Sequence, residues 1–362
     1  MAADSKQLSF PPGTELVFGP QAVRRQWISD CISQVFRGWG FSEIVLPTFD
    51  SAETFEDLPD QTDEAELYTL IDREGRRLTL RADFTLIAAK ALAMELRRQP
   101  RQIRACYEGR VYRFAPSGHG HRVEQAQRGL EWVNARGAVY DAAVLMLARE
   151  CLASVAAHDA LLVVGHAGFV HAVLGEGRRE RRLLEALDYK NPSRIRQVAQ
   201  RIGLDAGTVA LLEALPLLTG GPEVFKTVRE FRLPGAAADA LAELEGLYGL
   251  LADAGATDGI LLDLGEVRRA DYYSGFMFKV YDPAVGEELG GGGRYDRLFD
   301  RYNMDVPAVG FGVNLARVAE ATSENGYANG QAESVADDAG AEGLKRIAAS
   351  RAAGKSIRLE GK

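Results

Sequence analysis

Cysteine is scarce in this chain: Cys31, Cys106 and Cys151 are the three among 362 residues. They stand far apart, without the close spacing of a metal-ligand set. Their odd count and apolar neighbours predict reduced core thiols in a cytoplasmic protein. Long apolar runs are missing too; none reaches the roughly 18 residues a membrane helix needs. The start, Met1-Ala2-Ala3-Asp4-Ser5-Lys6, lacks the basic opening and apolar block of a signal peptide. Positive charge is short, and the net charge of −8 argues against a large nucleic-acid footprint, leaving room only for a local basic patch. There is no dinucleotide fingerprint, Walker sequence, HExxH helix or nucleophile elbow. The run Gly290–Gly293 precedes Arg294 rather than Lys-Ser/Thr, so it is no phosphate loop. His119, His121 and Glu124 cluster on a glycine-containing loop without a further ligand, and no metal site is expected there.

What is present is an ordinary globular composition, 46% hydrophobic and 26% charged, long enough for one large domain or two ordinary ones. Residues 21–38 read as an amphipathic helix, since Val23, Trp27, Ile28, Cys31, Ile32, Val35 and Phe36 recur mostly at spacings of three and four. Residues 41–47 read as a strand that stops at Pro47. Residues 54–64 are acidic and read as loop. The segments 68–72 and 77–81 flank a hairpin turn. A helix is expected over 85–96, strands over 102–114 and 122–133, a helix over 141–158 and a short buried strand over 161–165. From about 175 to 250 the pattern turns helical and charge-rich, as an inserted subdomain or a packed layer. Strands return at 260–264, 272–281, 288–289 and 308–313; the glycine run leads into a helix, and a last helix covers 314–321. The fold class is α+β, a mostly antiparallel sheet with helices on one side. Beyond Thr322 the chain is low in large apolar residues and is expected to be a disordered tail or a loose helix.

The chemistry concentrates in two segments that read as strands, Arg81-Ala82-Asp83-Phe84-Thr85 and Gln127-Arg128-Gly129-Leu130-Glu131. Alternation puts Gln127, Gly129 and Glu131 on one face, and Asp83 with Thr85 on one face. The gap at Gly129 leaves room for a ligand between an amide and a carboxylate. Two carboxylates, an amide and a hydroxyl suit an ammonium group and a second N–H donor, as in an amino acid with an N–H-bearing side chain. On composition alone Glu131 and Asp83 read more readily as solvated strand ends. In the strand 272–280, Tyr272, Phe276, Phe278 and Val280 share a core face, while Asp271, Tyr273, Gly275 and Met277 share the other. Arg268 and Arg269 precede that strand. Arg113 and Arg317 could converge on a polyphosphate, or each could be an ordinary surface residue.

The order of these pieces resembles the catalytic core of class II histidyl-tRNA synthetases, over roughly residues 8–320. Residues 41–47 resemble the first class II motif, which builds the dimer interface. Residues 107–113 with the returning strand to Glu131 resemble the second, and 310–317 the third. Residues 267–273 and 292–296 resemble the two histidine-specific signatures. The resemblance implies that Asp83, Thr85 and Gln127 hold the histidine α-amino end. Glu131 would contact the α-amino group or the imidazole, Tyr273 the imidazole, and Arg268 the carboxylate. Arg113 and Arg317 align with ATP-phosphate ligands. Asp83 stands where the synthetases carry glutamate.

The departures point further. Ala115 replaces the glutamate that reads the adenine amine, Val123 replaces an arginine, and Ala316 replaces the glutamate before the third-motif arginine. After Thr322 only about forty residues follow, too few and too polar for an anticodon-binding domain. The pattern is similar to the regulatory subunits of ATP phosphoribosyltransferase. That resemblance implies no catalytic residues, no cofactor and no tRNA. It implies a homodimer assembled with a short catalytic subunit, and histidine as the feedback effector. The rival expectation is a truncated synthetase-like enzyme that activates histidine with ATP.

Overall fold

The computed structural model describes residues 10–56, 66–114, 122–175, 177, 180–267, 272–322, 333–336, 340–353 and 357–360. The chain divides into two units, residues 1–322 and 323–362.

The first unit opens with α1 (Pro20–Gly38), β1 (Ser42–Glu43), β2 (Phe49–Ser51), α2 (Glu53–Glu56), β3 (Thr69–Ile71) and β4 (Arg77–Leu80). Then come α3 (Phe84–Arg98), β5 (Ile103–Tyr112), β6 (Glu124–Val133), α4 (Ala138–Ser154), β7 (Leu161–His166) and α5 (Ala167–Leu174). The helical stretch holds α6 (Arg181–Asp188), α7 (Pro192–Arg201), α8 (Ala206–Ala214), β8 (Thr219–Gly220), α9 (Glu223–Val228) and α10 (Gly235–Asp253). The unit closes with β9 (Ile260–Asp263), β10 (Phe276–Tyr281), β11 (Glu288–Arg294), β12 (Ala308–Asn314) and α11 (Leu315–Ala321).

Nine strands form one sheet in the order β1-β5-β6-β12-β11-β10-β7-β9-β8. Within it β1 runs parallel to β5 and β7 parallel to β9; the other neighbours are antiparallel. One face of this sheet carries Leu130, Trp132, Phe278, Phe311 and Val313, which pack against Ile28, Ile32 and Phe36 of α1 and apolar residues of α4, α5 and α10. Phe36 meets Phe311 edge-on at 5.8 Å, so the apolar stripe of α1 is anchored on the central strands. The opposite face is covered in part by α3 and carries the site. Helices therefore flank both faces, where one side was expected. No helix among the described residues is long and apolar enough to cross a membrane.

Several expectations need correction. Asp83 and Thr85 are not on a strand: β4 ends at Leu80, and Asp83 caps α3 by accepting the Leu86 N–H at 3.1 Å. A carboxylate there satisfies an otherwise orphaned helix donor, which outweighs the strand-like alternation. The segment 41–47 pairs only at Ser42 and Glu43. Beyond it the Leu46 and Pro47 carbonyls accept from the buried Arg81 guanidinium, at 3.1 and 2.8 Å. β10 begins at Phe276 rather than at 272, so Tyr272 does not join Phe276 and Phe278 on the helix-packed side. The glycine run lies inside β11, a central strand, and a 3₁₀ turn over Asp296–Tyr302 follows it. The loop 115–121, with His119 and His121, lies outside the described residues.

In the second unit β13 (Glu333–Ala336) and β14 (Ile357–Glu360) pair in parallel, with α12 (Gly340–Ala352) between them. A strand-helix-strand pattern thus occupies described residues that composition assigns to a disordered tail.

Candidate ligand-binding site

Register decides what the α3-side face presents. Tyr107, Gly129, Gly312, Gly291 and Lys279 lie in one row across β5, β6, β12, β11 and β10. In the next row Ala105, Glu131, Gly310, Gly293, Met277 and Gly165 follow one another. The centre of this face is a floor without side chains. A methyl group on Gly129 would stand 2.7 Å from the Tyr107 hydroxyl, and one on Gly310 2.2 Å from Glu131 Oε2. The bare positions are what let those polar groups lie down on the sheet.

Glu131 is the centre of the arrangement. Its side chain is 2% exposed. The hydroxyls of Tyr107, at 3.1 Å, and Tyr295 donate to it, and the Thr85 hydroxyl joins them. No cation among the described residues is paired with it. Burial pushes its carboxyl up to about 8, and the hydrogen bonds from Thr85 and Tyr107 hold it back from going higher. Tyr107, Tyr272, Tyr273 and Tyr295 are all nearly sealed from solvent. Tyr107 stacks on Phe84 at 4.4 Å, Tyr272 meets Tyr273 at 4.8 Å, and Tyr272 meets Tyr295 at 5.8 Å. Burial pushes the hydroxyls of Tyr107 and Tyr272 well above their usual range, so both stay protonated donors at neutral pH. An unpaired carboxylate in an aromatic cage is suited to a cationic or N–H-bearing group of ligand size.

The structure brings Thr85, Glu131 and Tyr273 into this cage. Gln127 is half-buried on the same face, four residues before Glu131, opposite Gly109 and Asn314. Asp83 sits at the rim, shared between the helix cap and Arg113, whose guanidinium lies 3.4 Å away and also donates to the Ala82 carbonyl at 2.8 Å. Arg317 is turned to the start of β11, where it donates to the Glu288 carbonyl at 2.7 Å and pairs with Glu287 at 2.7 Å. Arg268 lies outside the described residues. Sequence assigned no role to Tyr107 or Tyr295, and it assigned Tyr272 to the core face. Tyr107 shares strand parity with Arg113 and faces Gly129, a signal that could have found it; Tyr295 follows β11 and had no such signal.

The family model described as histidyl-tRNA synthetase matches residues 13–318. A curated ATP phosphoribosyltransferase regulatory subunit of Moorella thermoacetica is 32% identical over 331 residues, which is 90% of this chain and 85% of that protein. Its counterpart in Caldanaerobacter subterraneus is 33% identical over 313 residues, 85% of this chain and 81% of the relative. The chain belongs to the histidyl-tRNA synthetase-like family of ATP phosphoribosyltransferase regulatory subunits. A crystal structure described as an ATP phosphoribosyltransferase regulatory subunit/histidyl-tRNA synthetase from Bacillus halodurans superposes with a TM-score of 0.85 at 27% identity, covering 98% of this chain and 93% of that one. A histidyl-tRNA synthetase from Nostoc shares the fold, with a TM-score of 0.74 at 19% identity over 98% of this chain and 86% of that one. The class II synthetase-like core expected from the motif order is therefore the fold this family has.

Two of the departures fall on described residues. Val123 packs beside Gly13, where a Cβ would lie 2.7 Å from its Cγ1, so an apolar contact stands in place of a guanidinium. Ala316 is buried in the first turn of α11. Ala115 lies outside the described residues.

Proposed function

We propose that this chain is the non-catalytic regulatory subunit of an ATP phosphoribosyltransferase, and that its caged carboxylate binds free histidine as the feedback effector. The caged Glu131 carries the reading: a buried carboxyl with hydroxyl donors on it and, among the described residues, no cation paired with it. In this reading Glu131 accepts from the imidazole N–H or the α-ammonium, and Tyr273 covers the imidazole. Thr85, Gln127 and Asp83 hold the α-amino end, and Arg268 takes the carboxylate. The chain works in the cytoplasm as a homodimer within a hetero-oligomer, with a short-form catalytic subunit as partner in the first step of histidine biosynthesis. The kinship with the regulatory subunits of Moorella thermoacetica and Caldanaerobacter subterraneus supports that partnership. Arg113 and Arg317, the vestigial nucleotide-site residues, support the absence of chemistry, because both are engaged by carboxylates of their own chain. Feedback requires histidine to bind the inhibited assembly more tightly than the active one, and a coupling of about 1–3 kcal/mol is typical.

Calorimetric titration of histidine into the purified chain tests the pocket, and co-purification with a short phosphoribosyltransferase tests the partnership. Saturable binding that Glu131→Gln weakens is the expected result. Histidine-dependent ATP–pyrophosphate exchange by the chain alone would overturn the non-catalytic reading.

A further inference from the structure

The glycine floor continues past the cage to cations that the histidine reading does not use. Lys279 ends the row Gly129–Gly312–Gly291–Lys279 and faces the same side. Its ammonium is 2.5 Å from Glu266 Oε1, and Glu266 is 5% exposed. The Glu266 stem lies over Gly165, where a Cβ would be 3.1 Å from the Glu266 Cβ, so this carboxylate covers the far end of the floor. At the turn end of the same β10–β11 hairpin, Arg317 is held 2.7 Å from Glu287. On the opposite side of the floor Arg113 is held by Asp83. Four strand spacings of about 4.8 Å separate Tyr107 from Lys279, roughly 19 Å in all, long enough for a nucleoside triphosphate.

We infer that Glu266 and Glu287 are built-in anions that occupy Lys279 and Arg317 and keep polyphosphates off the glycine floor beside the histidine pocket. The inference deepens the regulatory reading, on which it rests, by naming what makes that face selective for the amino acid. The physics is direct. A polyphosphate needs cations free to pair with it, and here both cations are already paired with carboxylates. The same carboxylates repel an incoming anion. Taking Lys279 from Glu266 would cost the ion pair of a nearly buried carboxylate, which is unfavourable.

The test uses the full chain, its Glu266→Gln and Glu287→Gln variants and the double variant. Each is titrated with inorganic tripolyphosphate and with magnesium-ATP, and separately with histidine. The parent should show no saturable binding of either phosphate. The double variant should gain saturable tripolyphosphate binding, at least tenfold tighter than any residual binding by the parent, and it should weaken steeply with added salt. Histidine binding should match the parent in all variants, so a failed histidine pocket is read on its own titration. Parent binding as tight as that of the double variant overturns the inference, and so do folded variants that gain nothing. Glu287 is 59% exposed, so its variant keeps the fold and carries the test if Glu266→Gln does not.

Discussion

Two buried charged groups, on β11 and β6 to either side of β12, are treated in opposite ways. Arg294, at the end of β11, points to the helix-packed side. Its guanidinium donates to Asp141 Oδ1 at 2.9 Å, to Asp296 Oδ1 at 3.0 Å and to the Ala135 carbonyl at 3.0 Å. Gly293, one residue earlier, faces the other side, next to Gly310 and Glu131 in the register. There the carboxyl has hydroxyl partners and no paired cation among the described residues. The first group is a completed cross-link between α4 and the sheet. The second is half of an interaction. A buried ion that finds its counterion within the chain is scaffold, and one left short of it marks a place for a ligand.

The sharpest way to break the comparison is to unpair the finished side. Asp141→Ala leaves Arg294 buried without its main partner and should destabilise the protein by about 3–5 kcal/mol in chemical denaturation. An unchanged denaturation midpoint would mean that Arg294 is not held as described. Adding Arg294→Met should recover much of the loss, because the buried charge left with Asp296 alone goes with it.

The same logic gives the opposite result at Glu131. Glu131→Gln removes a buried carboxyl that no cation among the described residues pairs with, so the fold should persist. Histidine binding should weaken by about 1.5–3 kcal/mol, the worth of a hydrogen bond to a charged group. Equal histidine affinity in parent and variant would sink the pocket assignment.

Titration separates the two sides next. Folding raises the Glu131 carboxyl from its ordinary 4.5 to about 8, so between those values the folded state keeps a proton that the unfolded chain has released. The stability of the ligand-free protein should therefore fall as pH climbs from about 4.5 to about 8, by at most about 1.4 kcal/mol per pH unit, and then level off. Thermal melts across that range should show the slope in the parent and lose it in Glu131→Gln. A parent whose stability rises with pH there would mean that a cation reaches the carboxylate.

Much of this contrast could be read in the sequence, and the reasons for the rest are physical. The parity of Gln127, Gly129 and Glu131 is a property of the strand itself, and β6 preserves it. The three- and four-residue spacing that defines α1 also survives folding, because a helix exposes its apolar stripe in the order the chain writes it. Asp83 was misplaced because one carboxylate can serve a strand face or a helix cap, and only the free Leu86 N–H decides between them. Tyr272 was misplaced because the alternation was extended four residues before pairing begins. The cage was hidden for another reason. Tyr107, Glu131 and Tyr295 come from segments 24 and 164 residues apart, and nothing local in any of them marks the meeting.

The smallest change tests the cage most directly. Tyr107→Phe keeps the ring that stacks on Phe84 and removes only the hydroxyl 3.1 Å from Glu131. That hydrogen bond favours the charged carboxylate, so its loss should move the Glu131 titration upward from about 8. The stability lost should be modest, about 0.5–1.5 kcal/mol, since a single hydroxyl is deleted. Asp141 and Arg294 should not register the change, because they lie on the other side of the sheet. The readout is the pH at which the stability profile levels off. A shift to lower pH, or none, would show that Tyr107 does not hold the carboxylate, and the contrast between the two buried charges would then rest on Thr85 and Tyr295 alone.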